Sequence, residues 1–161
     1  VNNKNINKHK QDREPRTQGS EQSKHETATL SIDEGSHRYY KTYELKRYIW
    51  ITFKKEGIHK YPDAPEEVKF LRYPHRHIFH FKVKIEVEHN NRDIEFIMLK
   101  RELENLYDPG KLELDYKSCE MLAEEILDYL LQNYSSKRSM SVEVSEDGEN
   151  GAVLEYKPLT L

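Results

Sequence analysis

From Phe79 onward the chain alternates. Phe79, Phe81, Val83, Ile85 and Val87 are apolar, and His80, Lys82, Lys84, Glu86 and Glu88 between them are polar or charged. Successive side chains of a strand point to opposite faces, so the pattern predicts a strand over 75–89 with one face on a core and one in water. Asn90-Asn91 ends it. A second alternation sets Met140, Val142 and Val144 against Ser141, Glu143 and Ser145, and predicts a strand over 140–146. The last strand is expected over 152–157, reached through Asp147-Gly148-Glu149-Asn150-Gly151, a hairpin signal with Asn-Gly at its end. Residues 43–55 read as a further strand, with Tyr48, Trp50 and Thr52 on one face and Ile49, Ile51 and Phe53 on the other. Bulk on both faces leads to the expectation that both are buried. Gly57, Pro62, Pro65 and Pro74 make 57–74 a long loop.

The period then changes. Phe96, Leu99, Leu103 and Leu106 share one helical face and predict a helix over 94–107, stopped by Asp108-Pro109-Gly110. A second helix is expected over 119–134, with Ser118 as N-cap, Glu120 at the positive helix end, and Leu122, Ile126, Tyr129 and Leu130 as its apolar stripe. The order is ββααββ, an α+β pattern and not an alternating βαβ one. Residues 1–38 differ in kind. Val1, Ile6, Leu30 and Ile32 are their large aliphatics, and they contain no aromatic residue. Such a segment buries too little to offset its ordering entropy. It is expected to be a disordered polar tail that orders on a protein partner, with the globular domain over 39–161.

Composition narrows the classes. The chain has 161 residues, enough for one domain, and 34% of them are charged. No apolar run approaches the roughly 18 residues of a membrane span, and the polar N-terminus does not suggest a signal peptide. A net charge of -3 gives no reason to expect nucleic acid, although Lys41, Lys46, Arg47, Lys54, Lys55, Lys60, Lys69 and Arg72 form a basic stretch. The single cysteine excludes an internal disulfide and suits a cytoplasmic setting.

His75 and His77 share the parity of the buried set and project from the mouth of the strand. Two imidazoles so placed read as a hydrogen-bonded strand end or as half of a metal site. A third ligand decides between them, and His59 is the candidate. Glu146 shares the parity of Met140, Val142 and Val144, so it points inward just before the hairpin. It reads either as a turn carboxylate reaching water or as an anchor accepting paired hydrogen bonds from a guanine- or pterin-like edge. Cys119 opens a helix, where a small buried hydrophobe is the simplest role. Asp108 reads as a helix-end turn residue.

These pieces in this order resemble the 6-pyruvoyl- and 6-carboxy-tetrahydropterin synthase family over roughly residues 45–157. The family's His-Gly-His strand opening is similar to His75-Arg76-His77, and its Asp-Phe-x-x-Leu-Lys to Glu95-Phe96-Ile97-Met98-Leu99-Lys100. Its Leu-Asp-His-x-x-Leu-Asn resembles Tyr107-Asp108-Pro109-Gly110-Lys111-Leu112-Glu113. Its Thr-x-Glu-x-Leu-Ala resembles Ser118-Cys119-Glu120-Met121-Leu122-Ala123, and its glutamate-bearing hairpin resembles Glu146 to Gly151 with Tyr156. The resemblance implies a T-fold: a four-stranded antiparallel sheet with two helices on one face, joined edge to edge into a homo-oligomer. It implies Zn2+ on His59, His75 and His77, and a purine- or pterin-like ligand held by Glu146 and Asp108. Two departures bear on catalysis. The family's cysteine falls on Leu71 and its catalytic histidine on Pro109, and neither residue can transfer a proton. The expectation is therefore a degenerate, non-catalytic member that binds a ligand or serves as an oligomeric interaction protein. The alternatives are an active lyase on dihydroneopterin triphosphate using Tyr73, His80 or Asp108 instead, and a partner-binding module of a phage or defence-type system.

Overall fold

The computed structural model describes residues 27–34, 37–107 and 109–159. Two strands open the described chain. β1 (Thr27–Glu34) pairs antiparallel with β2 (His37–Glu44) as a two-stranded sheet, so the first strand falls inside the segment expected to be a tail. Residues 1–26 lie outside the described residues, and with them most of the proposed partner-binding segment.

The main sheet has five strands in the order β5-β3-β4-β6-β7. β3 (Arg47–His59) and β4 (His75–Val87) pair antiparallel along their whole length, from Arg47 opposite Val87 to His59 opposite His75. β6 (Met140–Glu146) pairs with β4, and β7 (Asn150–Tyr156) with β6, both antiparallel. β5 (Leu112–Asp115) lies parallel to the end of β3, at Gly57 to His59. The expected four-stranded antiparallel sheet is thus a five-stranded mixed one. Four residues of alternation in Leu112-Glu113-Leu114-Asp115 suffice for β5 because its two leucines are buried against the core.

Alternation decides which face the core occupies. Ile51, Phe53, Phe79, Phe81, Val83, Ile85, Met140, Val142 and Val144 are all buried on one face. Helices α1 (Phe96–Glu104) and α2 (Cys119–Asn133) cover it, contributing Leu99 and Leu103 from the first and Leu122, Ala123, Ile126 and Leu130 from the second. The Ser118 side chain caps α2 by accepting the Met121 N–H, as its position before the stripe predicts. Phe53 and Phe81 stack with ring centroids 4.6 Å apart, the offset packing that suits aromatic pairs in a core.

Two expectations are corrected. Tyr48 and Trp50 lie on the opposite face of the sheet and are exposed, Trp50 by 63%, so β3 buries one face and not both. The segment 57–74 is not all loop. β3 runs on to His59, and Glu66–Arg72 form a 3-10 helix kinked at Val68. Gly57 stays in the strand because it lies against side chains. A Cβ there would meet Leu114 Cδ1 at 2.8 Å and Phe79 Cε2 at 2.9 Å.

Candidate metal centre

Strand register builds the site. His59 ends β3 directly opposite His75, which begins β4, and His77 follows on the same face. Glu146 ends β6 in register with Phe79, the residue two after His77. The open end of the antiparallel ladder therefore collects three imidazoles and a carboxylate beyond the last layer of apolar side chains. The rings pack edge to face, with centroids 4.6 Å apart for His59 and His75, 5.3 Å for His59 and His77, and 5.1 Å for His75 and His77. One nitrogen of each ring lies within 4.8 Å of the other two.

Each ring is oriented through its other nitrogen. His59 Nδ1 is 2.9 Å from the Lys117 carbonyl, His75 Nδ1 is 2.8 Å from the Tyr73 carbonyl, and His77 Nδ1 is 2.6 Å from Asp147 Oδ2. All three partners are acceptors, so each Nδ1 carries a proton, and in a neutral ring Nε2 then keeps its lone pair. Among the described residues, Nε2 of His59 and Nε2 of His77 are buried and have no hydrogen-bond partner. Buried polar atoms are nearly always paired, and orphaned imidazole nitrogens in rings clustered this closely fit a metal ligand set. The donor set, neutral imidazole held by a carbonyl or carboxylate behind it, fits a divalent zinc-like ion.

Asp147 belongs to the site although the sequence did not single it out. It sits in the β6–β7 turn with φ of +53°. Its Oδ1 accepts the Ile78 N–H at 2.8 Å while Oδ2 takes the His77 proton. The hydrogen bond from His77 and then that from the Ile78 N–H hold its carboxyl below the usual range. The Lys117 and Tyr73 carbonyls left no trace in the sequence either, because every residue has a carbonyl.

Glu146 is half-buried. Its Oε1 lies 3.2 Å from His59 Nε2 and its Oε2 3.6 Å from His77 Nε2. The thiol of Cys119 is 3.8 Å from Oε1. Burial, and then the nearby charges of Glu146 and Glu120, push that thiol up to about 12, so it is a neutral SH beside the carboxylate. A cavity of about 510 Å3 opens in front of this group, with Tyr61, Leu71 and Tyr116 on its walls. Gly151 also borders it, but what its missing side chain leaves room for is β6. A Cβ there would clash with the Val144 carbonyl oxygen. Asp108, the other expected ligand contact, lies outside the described residues. Tyr73 is exposed, and His80 lies on the opposite face of the sheet from His77 and Phe79.

No protein-family model matches the chain, and no curated protein matches it at a significant level. Among the described residues no helix is long and apolar enough to cross a membrane.

Proposed function

We propose that this chain is a metal-binding T-fold domain whose three-histidine centre opens onto a cleft for a small polar ligand of the purine or pterin type. The observation that carries the reading is the set of three Nδ1 anchors on rings that each bring one nitrogen within 4.8 Å of the other two. The ion would be held by His59, His75 and His77, and it would supply Lewis acidity at the floor of the cleft. The cleft volume suits a ligand of that size. Support for the T-fold reading comes from β3, β4, β6 and β7. They are sequential antiparallel neighbours with α1 and α2 inserted between the second and third. Edge-to-edge assembly into a homo-oligomer would pair the outer strands β5 and β7 and turn the open sheet face, with Trp50, Tyr48 and Val153 exposed, toward the interior of the ring.

Binding without turnover is the favoured reading because Leu71, where the family's cysteine would stand, is an apolar wall of the cleft. One observation favours a second reading, a lyase with relocated groups. Cys119 borders the same cleft and touches Glu146.

Elemental analysis of the purified protein tests the centre. The expected result is one divalent metal per chain, lost in His75→Ala and His77→Ala. A metal-free protein whose thermal stability ignores both added zinc and chelator refutes it. Calorimetric titration with pterins, guanine nucleotides and 7-deazaguanines tests the ligand class, and turnover of dihydroneopterin triphosphate separates the two readings.

A further inference from the structure

The contacts of Glu146 are of an unusual kind. Its two oxygens approach two buried imidazole nitrogens, at 3.2 Å from His59 Nε2 and 3.6 Å from His77 Nε2. Yet among the described residues neither nitrogen has a partner in hydrogen-bond geometry. The tautomers explain why. With Nδ1 of His59 bonded to the Lys117 carbonyl and Nδ1 of His77 to Asp147, each Nε2 offers a lone pair, and a carboxylate also offers only lone pairs. Acceptors facing acceptors at this range repel one another unless a cation sits among them.

An ion pair with a protonated histidine would place an N–H on the line to an oxygen, and that alignment is missing. Ligands of one ion behave differently. Their lone pairs aim at a common point and not at each other, so they lie close together without being aligned. Two donors each about 2.1 Å from one ion at tetrahedral angles are roughly 3.4 Å apart. Glu146 Oε1 lies near that spacing from His59 Nε2, and Oε2 lies near it from His77 Nε2.

We infer that Glu146 is the fourth protein ligand of the metal, closing a three-histidine, one-carboxylate centre, and that it is not the anchor for a bound ligand's donor edge. This rests on the three-histidine reading above. Its carboxylate carries the one negative charge in the ligand set, so the loaded centre keeps a single positive charge. Four protein ligands would fill a tetrahedral centre, so an oxygen donor from the cleft would add as a fifth ligand. Cys119 then has a definite place. Its thiol lies against Oε1 of a coordinating carboxylate, the outer-sphere position that orients a ligand without touching the ion.

Cobalt(II) titration tests this, because the visible bands of cobalt report the number and kind of its ligands. Wild-type protein, Glu146→Gln, Glu146→Ala and Cys119→Ser are compared at equal cobalt saturation. The expected result has three parts. Both Glu146 variants change band position and intensity and bind cobalt at least tenfold more weakly. Cys119→Ser keeps the wild-type bands. No variant shows the near-ultraviolet absorption of a cobalt–thiolate bond. Unchanged bands in Glu146→Gln overturn the inference, including when affinity falls, since a residue outside the coordination sphere also lowers affinity. Failure of the wild-type protein to bind cobalt at all overturns the three-histidine reading itself. Thermal melts in the presence of chelator show that the variants fold. Wild type and Glu146→Gln are expected to coincide there and to separate only when cobalt is added.

Discussion

His77 and Asp147 are 70 residues apart in the chain and 2.6 Å apart in the structure, Nδ1 to Oδ2. The same carboxylate also accepts the Ile78 N–H, so the β6–β7 turn fixes both the ring and the backbone beside it. Removing it frees the His77 ring to rotate. Asp147→Ala is expected to lower zinc affinity by about 10- to 100-fold, measured by competition with a chromophoric chelator, while the metal-free protein keeps its far-ultraviolet dichroism. Unchanged affinity would show that His77 needs no help to hold its orientation.

Gly57 offers a test of packing beside the centre. A methyl group at this position has no space between Leu114 and Phe79. Gly57→Ala is expected to destabilise the protein by about 1–3 kcal/mol through overpacking, read from urea denaturation with the metal removed. It should also disturb metal binding, because Phe79 packs edge-on against His59 with centroids 5.2 Å apart.

Acid stability is expected to depend on Asp93. Its carboxylate accepts from Arg138 Nη1 at 2.6 Å and from the Glu88 N–H at 2.8 Å, tying the approach to α1 to the start of β6. Burial alone would raise its carboxyl. The hydrogen bonds from Arg138 and Glu88 outweigh that and hold it below the ordinary 3.8. A value lowered by folding gives stability that is full above the unfolded value and is lost as pH falls through the folded one. Asp93→Asn should therefore cost about 2 kcal/mol at neutral pH. The gap to wild type should close from about pH 4.5 downward, as followed by urea melts across that range.

The exposed sheet face gives a fourth test. Trp50 is exposed and paired across the ladder with Lys84. If subunits turn this face toward the interior of a ring, Trp50→Glu places a charge there and is expected to shift the sedimenting species to a monomer. A wild-type protein that already sediments as a monomer at micromolar concentration removes the oligomer proposal.

Much of the fold was legible because period-2 and helical patterns are physical consequences of burying one face. β4, β6 and α2 lie close to where alternation and the Ser118 cap place them. The errors share a cause. Gly57 looked like a chain breaker because a sequence does not show that Leu114 and Phe79 occupy the space its side chain would need. Trp50 looked buried because apolar character is a poor guide to exposure at single positions. β5 is too short for a period to register, and its partner, the end of β3, had been assigned to a loop. Parity put His75 and His77 on one side, His59 was a candidate from the segment read as a loop, and the structure brings the three together. Asp147 was missed because parity says nothing of a turn residue that curls back onto a neighbouring strand.

His59 and His75 face each other across the last pair of the β3–β4 ladder, and everything from Lys60 to Pro74 hangs between them. That excursion has its own fastenings, the Tyr61 N–H to the Leu71 carbonyl and Arg72 Nε to the Ala64 carbonyl. An ion shared by the two histidines would close the base of the excursion as a staple closes a ring, and the free energy of coordination would become free energy of loop closure. Loading the centre should thus slow amide exchange across the kinked 3-10 helix, at residues that never approach the ion. Metal supply would then govern how long the whole hairpin tip stays shut.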